Sequence, residues 1–232
     1  MRLPRLFAVV WLLTFSAASA EEPVFQPLFD GQTLTGWTQR GGQAKYSVED
    51  GAIVGRSVPN TPNSFLCTER DYGNFELLLE FQVDPALNSG VQIRSEHFDE
   101  PQTITVPDNG GEKTLTIPAR RVHGYQVEID PSERAWTGGI YDESRRGWLN
   151  DLKNNEPARQ AFRQNEWNTL RIVAKGDSIR TWLNDVPAAD LTDGLTAKGF
   201  IALQVHGVGD RAEPLTVRWR NLRIRELDTD VP

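Results

Sequence analysis

One cysteine, Cys67, occurs in 232 residues, so no intramolecular disulfide can brace the chain. It sits in the apolar stretch Phe65-Leu66-Cys67, which suits a small buried side chain better than a reactive nucleophile. Long apolar runs are also missing. Leu6 to Phe15 is the one candidate, and it is too short to span a bilayer. Arg2 and Arg5 precede it and Ala18-Ser19-Ala20 follows, the pattern of a signal peptide over residues 1–20. The expected mature chain starts at Glu21 and is exported, to the periplasm or the extracellular space, without membrane insertion. Basic excess is absent too: 32 acidic residues face 25 basic ones, a net charge of −7. That disfavours nucleic acid and anionic membrane surfaces as partners. There is no C-x-x-C or H-x-x-x-H spacing from which to read a zinc site, and no glycine-rich dinucleotide fingerprint.

A helical period is missing over any long stretch. Short alternating runs recur instead, separated by Gly, Asn, Asp and Pro, which predicts an all-β fold. Tyr46–Glu49 and Ala52–Val54 flank Asp50-Gly51, a hairpin signal. Phe75 to Val83 puts Phe75, Leu77, Leu79, Phe81 and Val83 on one face. Thr169–Ala174 and Ile179–Leu183 form a second hairpin, and Leu215–Ile224 is the last strand. Asp99 to Arg121 reads as a long excursion, a hairpin flap built on Thr103–Val106 and Thr114–Ile117. Ser144 to Asn165 is polar, with helical character around Pro157 to Phe162. No repeat or linker divides the chain, so residues 21–232 are expected to form a single domain. The architecture expected is a two-sheet antiparallel β-sandwich of jelly-roll type with one concave polar face.

Three distant segments supply that face. In Gly90–Arg94, Tyr125–Asp130 and Ile201–His206 every second residue is polar. Residues two apart on a strand share a face. Gln92, Arg94, Gln126, Glu128, Asp130, Gln204 and His206 therefore collect on one side, and Val91, Ile93, Tyr125, Val127, Ile129, Leu203 and Val205 on the other. Carboxylates, a guanidinium, an imidazole and amides together suit a hydroxyl-rich ligand. Trp37, Trp167 and Trp219 are expected in the core. Trp136, Trp148 and Trp182 are alternative sugar-stacking platforms, and His97 and His123 rim residues beside the flap.

Several motifs resemble the 3-keto-disaccharide hydrolase domain family. They are Leu28-Phe29-Asp30-Gly31-Gln32-Thr33-Leu34-Thr35-Gly36-Trp37, Asn88-Ser89-Gly90-Val91-Gln92-Ile93-Arg94 and Gly124-Tyr125-Gln126-Val127-Glu128-Ile129-Asp130. Further on come Thr137-Gly138-Gly139-Ile140-Tyr141, Glu166-Trp167-Asn168, Ile179–Asn184, Gly199–His206 and Val217–Leu222. The resemblance implies a concanavalin-like sandwich acting on an oligosaccharide or glycoside oxidised at C3. Such a ketone acidifies the C2 proton. A base removes that proton, the C1 oxygen leaves by elimination, and water adds to the enone. On this reading Glu128 or His206 is the base, Arg94 or a divalent metal stabilises the enolate, and Tyr141 is the acid. Glu128, Asp130 and His206 are the candidate metal ligands. Gln92, Gln126, Gln204 and Trp182 are the candidate substrate-binding residues. A separate dehydrogenase would have to supply the ketone. Two other readings stand beside this one. One is a carbohydrate-binding module without catalysis. The other is a laminarinase-type β-glucanase using Glu128 and Glu133 in Glu128-Ile129-Asp130-Pro131-Ser132-Glu133.

Overall fold

The computed structural model describes residues 24–108 and 110–228; the signal peptide expected over residues 1–20 lies outside the described residues. In chain order the strands begin with β1 (Gln26–Pro27), β2 (Trp37–Gly41), β3 (Lys45–Glu49), β4 (Ala52–Arg56), β5 (Ser64–Tyr72) and β6 (Phe75–Val83). They continue with β7 (Ser89–Glu96), β8 (Gln102–Asp108), β9 (Gly111–Ile117), β10 (His123–Ile129), β11 (Ile140–Glu143) and β12 (Gly147–Asn150). A short helix, α1 (Glu156–Gln160), precedes β13 (Asn168–Lys175), β14 (Ser178–Leu183), β15 (Val186–Thr192), β16 (Gly199–Val205) and β17 (Thr216–Glu226).

Two antiparallel sheets form the expected sandwich. One runs β15-β14-β13-β6-β17-β4-β3, with β1 added to β17. The other runs β12-β11-β10-β7-β16-β5-β2. The flap is the separate hairpin β8-β9, as expected, with Thr103–Thr116 and Thr105–Thr114 hydroxyl pairs along it. The Asp50-Gly51 turn joins β3 to β4 with positive φ at both residues (51° and 75°), the backbone that a two-residue hairpin requires.

The alternation in β6 is realised. Phe75, Leu77, Leu79 and Phe81 are buried against Val91, Ile93, Tyr125, Val127 and Leu203 of the facing sheet. Each fully buried apolar side chain of this size contributes about 1.5–3 kcal/mol. Trp219 and Trp37 join that core, as expected. Trp167 does not: it is half-buried at the surface, with the Arg220 guanidinium 4.0 Å from its ring centre. Cys67 is buried and its thiol is pushed up to about 12 by desolvation, in keeping with an inert packing role.

Arg94 departs from the expected alternation. The pairing of β7 shifts register between Tyr125 and His123 on one side and between Ala202 and Phe200 on the other. Arg94 itself takes φ 45°. This bulge turns its side chain off the polar face. The guanidinium is buried and donates to Gly73 O at 2.8 Å, Gly176 O at 2.7 Å and Asn74 Oδ1 at 3.3 Å. It thus ties the β5–β6 turn to the β13–β14 turn of the other sheet. Arg94→Met should therefore lower unfolding stability by about 1.5–3 kcal/mol, because the Gly73 and Gly176 carbonyls lose a charged donor. Urea melts check this, with sugar binding by the folded variant expected to stay unchanged; a silent substitution would remove Arg94 from its role as a tie.

Candidate functional site

The outer face of the seven-stranded sheet carries a cavity of about 470 Å³. Its lining comes from Gln126 and Glu128 on β10, Tyr141 and Glu143 on β11, Trp148 on β12 and Gln204 on β16, with His206 just beyond β16. Asn63, Asn88 and Arg134 close it from loops. Register explains the gathering: Glu128 and Gln204 both pair with Gly90 of β7, and Gln126 pairs with Gln92 and Tyr141. Gly90 is needed there, since a Cβ at this position would stand 2.6 Å from the Gln126 side chain.

The floor is a directed chain of amides. Ser95 Oγ donates to Gln92 Oε1 at 2.8 Å, and Gln92 Nε2 donates to Gln126 Oε1 at 2.7 Å. Gln204 Nε2 donates to the same Gln126 oxygen at 2.7 Å, and Gln126 Nε2 donates to Glu128 Oε2 at 2.7 Å. Glu128 Oε1 accepts from Asn88 Nδ2 at 2.6 Å and Arg134 Nη2 at 3.2 Å. Three of the carboxylate's four lone-pair directions are thereby occupied, leaving one for a ligand. Burial raises the Glu128 pKa above the usual carboxylate value, against the pull of Asn88, Gln126 and Arg134. At Gln204 the side chain is buried, yet its Oε1 has no partner among the described residues. An orphan acceptor in a polar cavity calls for a ligand donor, such as a sugar hydroxyl or a water.

The residues expected from the sequence distribute as follows. Glu128, Gln126, Gln204, Tyr141 and His206 meet in the cavity, His206 as an exposed rim residue with Nδ1 2.8 Å from Gly207 O. Gln92 is fully buried beneath it and touches the cavity only through Gln126. Arg94 and Trp182 are elsewhere. Trp182 lies on β14 of the opposite sheet, under the Arg171 guanidinium at 4.2 Å, and is corrected to a packing residue. The cavity's own aromatic platform is Trp148, packed edge-on against Tyr141 and Trp136. Its own guanidinium is Arg134, 4.9–5.0 Å from the Trp136 and Trp148 ring centres. His123 is buried against Phe98 rather than at a rim, and burial pushes its pKa down to about 4.

Asp130 positions Arg134. Its Oδ2 accepts from Arg134 Nε at 2.7 Å and Trp136 N at 3.3 Å, and its Oδ1 from Ser132 Oγ at 2.6 Å and Ser132 N at 3.2 Å. Donors on both oxygens leave no room for a cation. With His206 at the rim, Glu128, Asp130 and His206 do not fit as a metal-ligand set. Among the described residues no three His, Cys, Asp or Glu side chains form one. The two-carboxylate strand also fails, because β10 ends at Ile129 and Glu133 lies exposed in the following loop.

Glu143, like Arg134, is a cavity residue that the sequence pattern did not single out. It is two residues after Tyr141 on the same strand face, so extending the alternation past Ile140-Tyr141 would have found it. It is half-buried and accepts from Ser144 Oγ at 3.2 Å. Its backbone position lies about 13 Å along the strand direction from that of Glu128, two steps of the pleat repeat. Burial raises its pKa, countered by Ser144, His206 and Arg121. A carboxyl raised in the folded state stabilises the fold below the usual value of 4.5 and loses that contribution as pH climbs through the raised value. Glu143→Gln should therefore gain thermal stability relative to the parent as pH rises from below 4.5 to neutrality. Melting curves across that range test it; a gap that stays flat with pH would contradict the assignment.

Comparison with known proteins agrees with this fold. A candidate glycosyl hydrolase from Parabacteroides distasonis ATCC 8503 superposes with a TM-score of 0.55 at 19% identity, over 88% of this chain and 94% of that one. A Bacillus subtilis protein of galectin-like fold gives 0.55 at 10% identity, over 83% and 90%. A pseudo beta-1,3-glucanase of Mycobacterium tuberculosis gives 0.51 at 10% identity, over 86% and 98%. These similarities speak for the sandwich alone. No curated protein shows a significant match. No helix among the described residues is long and apolar enough to cross a membrane. The sequence profile of the 3-keto-alpha-glucoside-1,2-lyase-like domain matches residues 24–225, nearly all of the described chain, and the chain belongs to that family.

Proposed function

We propose that this carbohydrate-active protein cleaves 3-keto-glycosides in the Glu128–Glu143 cavity by elimination across C2 and C1. The observation that carries the reading is the Glu128–Arg134 pair beside the orphan Gln204 oxygen. Glu128 is a carboxylate made more basic by burial, with one free lone-pair direction and a guanidinium on its other side. In a 3-keto sugar the acidic C2 proton is adjacent to the C3 oxygen that gathers charge. A base and a cation held side by side match that pair of atoms.

The steps follow from these placements. Glu128 takes the C2 proton, and Arg134 stabilises the enolate on O3. Tyr141 or a protonated Glu143 donates to the C1 oxygen as its bond breaks, both having pKa values raised by burial. The enone left behind takes up water to give the free 3-keto sugar. Gln204 and Gln126 hold ring hydroxyls, and Trp148 offers an apolar face to the sugar ring. The ketone comes from an oxidation that this cavity does not perform, so a dehydrogenase acts upstream. The leader expected at residues 1–20 supports a reaction outside the cytoplasm.

A binding module without turnover would use the same amides but would gain nothing from a desolvated base. The experiment is turnover of aryl 3-keto-glucosides by purified protein. Glu128→Gln is expected to cut kcat by about 10²–10⁴-fold, the usual contribution of a positioned base. In the parent, kcat should fall as pH drops through the raised Glu128 value. Near-normal turnover by Glu128→Gln would sink the assignment, and sugar binding with no turnover by the parent would leave the binding-module reading. Glu143→Gln should slow substrates with poor leaving groups far more than those with nitrophenolate, because only the former need a proton donor; equal slowing of both would remove Glu143 as the acid.

A further inference from the structure

A second cavity, of about 460 Å³, lies on the same face and shares Asn63 with the first. It covers the β2 and β5 side of the sheet and the foot of the flap. Three arginines line it: Arg40 on β2, and Arg120 and Arg121 where the flap returns to β10. Phe65, Val122 and Pro118 supply apolar lining, and Asp99 is its one carboxylate. The chain is acidic overall, and elsewhere its arginines largely meet carboxylates: Arg56, Arg134, Arg145, Arg146, Arg171 and Arg225 all do. No ion pair within 4.0 Å engages Arg40, Arg120 or Arg121 among the described residues. Arg40 Nε is buried and without a hydrogen-bond partner. Three guanidinium groups around one cavity, with Asp99 the one carboxylate in its lining, suit an anion.

We propose that this cavity is a subsite for a carboxylate carried on the leaving-group side of the glycoside. The planar guanidinium fork matches a carboxylate. The apolar lining takes the ring that bears it. The position follows from strand register. The two cavities share Asn63, and Arg121 stands just before the start of β10, where Gly124 pairs with Glu143, so the arginine cavity opens beside the end of the first cavity that holds the leaving-group acid. One trough then has a carboxylate-lined half for a neutral keto sugar and an arginine-lined half for an anionic aglycone. The direction of the trough rests on the proposed elimination; the anion preference does not.

The test is calorimetric binding of two unoxidised ligands, 4-carboxyphenyl α-D-glucopyranoside and its uncharged 4-methylphenyl counterpart. The parent is expected to bind the carboxylated ligand about 10-fold more tightly at low salt, with the preference eroding as salt is added. In Arg40→Gln/Arg121→Gln the preference should vanish while the affinity for the neutral ligand holds. Arg121→Gln alone, at an exposed position, should remove part of the preference and guards against misfolding of the double variant. Equal affinity of the parent for both ligands would overturn the subsite, as would a preference that survives in the double variant. Because neither ligand carries a ketone, a protein that shows the preference yet turns over no 3-keto-glycoside refutes the elimination and leaves the subsite standing.

Discussion

Amide side chains packed on a sheet face survive burial only when each donor and acceptor finds a partner, and this constraint organises the site. Gln92, Gln126 and Gln204 are nearly or wholly without solvent exposure. Each unmet polar group among them would cost about 1–3 kcal/mol. The chain from Ser95 through Gln92 and Gln126 to Glu128 pairs all their amide oxygens but that of Gln204, and it runs in one direction, with every amide nitrogen donating toward the carboxylate. That direction keeps Glu128 an acceptor, the form a base needs. It also locates the gap: Gln204 Oε1 is the end of the network that meets nothing. The floor is therefore rigid where the sugar would rest and incomplete at the point where a hydroxyl would complete it.

Charge is partitioned along the same face. Glu128 and Glu143 sit in one cavity, and Arg40, Arg120 and Arg121 line the next. Burial raises both carboxyls; Asn88, Gln126 and Arg134 oppose the rise at Glu128, and Ser144, His206 and Arg121 oppose it at Glu143. Arg134 is itself held by Asp130, so a residue that looked like a ligand in the sequence is a positioning group for the cation. The two tryptophans flanking Arg134 hold it further, and Trp148 is shared between that clamp and the cavity wall.

Much of this was legible as period-two alternation. It identified β7, β10 and β16 as strands of one face, and it placed Gln126, Glu128 and Gln204 together before any register was known. It failed where the backbone broke the period. Arg94 sits in a bulge, so counting by two put it on the wrong side of the sheet. Arg134 lies in a loop with no period, and nothing in Ser132-Glu133-Arg134 marks it. Glu143 kept the period, but it lies beyond Tyr141, in a strand that the alternation had not been extended to cover. Trp182 alternated correctly on a strand of the other sheet, which alternation alone cannot tell apart.

Local chemistry thus determined what could be decided locally: the absence of disulfides, the all-β architecture, the hairpin at Asp50-Gly51, the flap, and the polar faces of three strands. Side-chain period and turn preference act over a few residues, so they survive in the sequence. Tertiary structure alone decided which strands became neighbours, which face a bulged residue took, and which loop brought a guanidinium to Glu128. Those outcomes depend on pairing between segments up to more than a hundred residues apart, such as Gly90 with both Glu128 and Gln204. Only the packed sheet fixes that pairing, because burial of one continuous apolar face selects a single register.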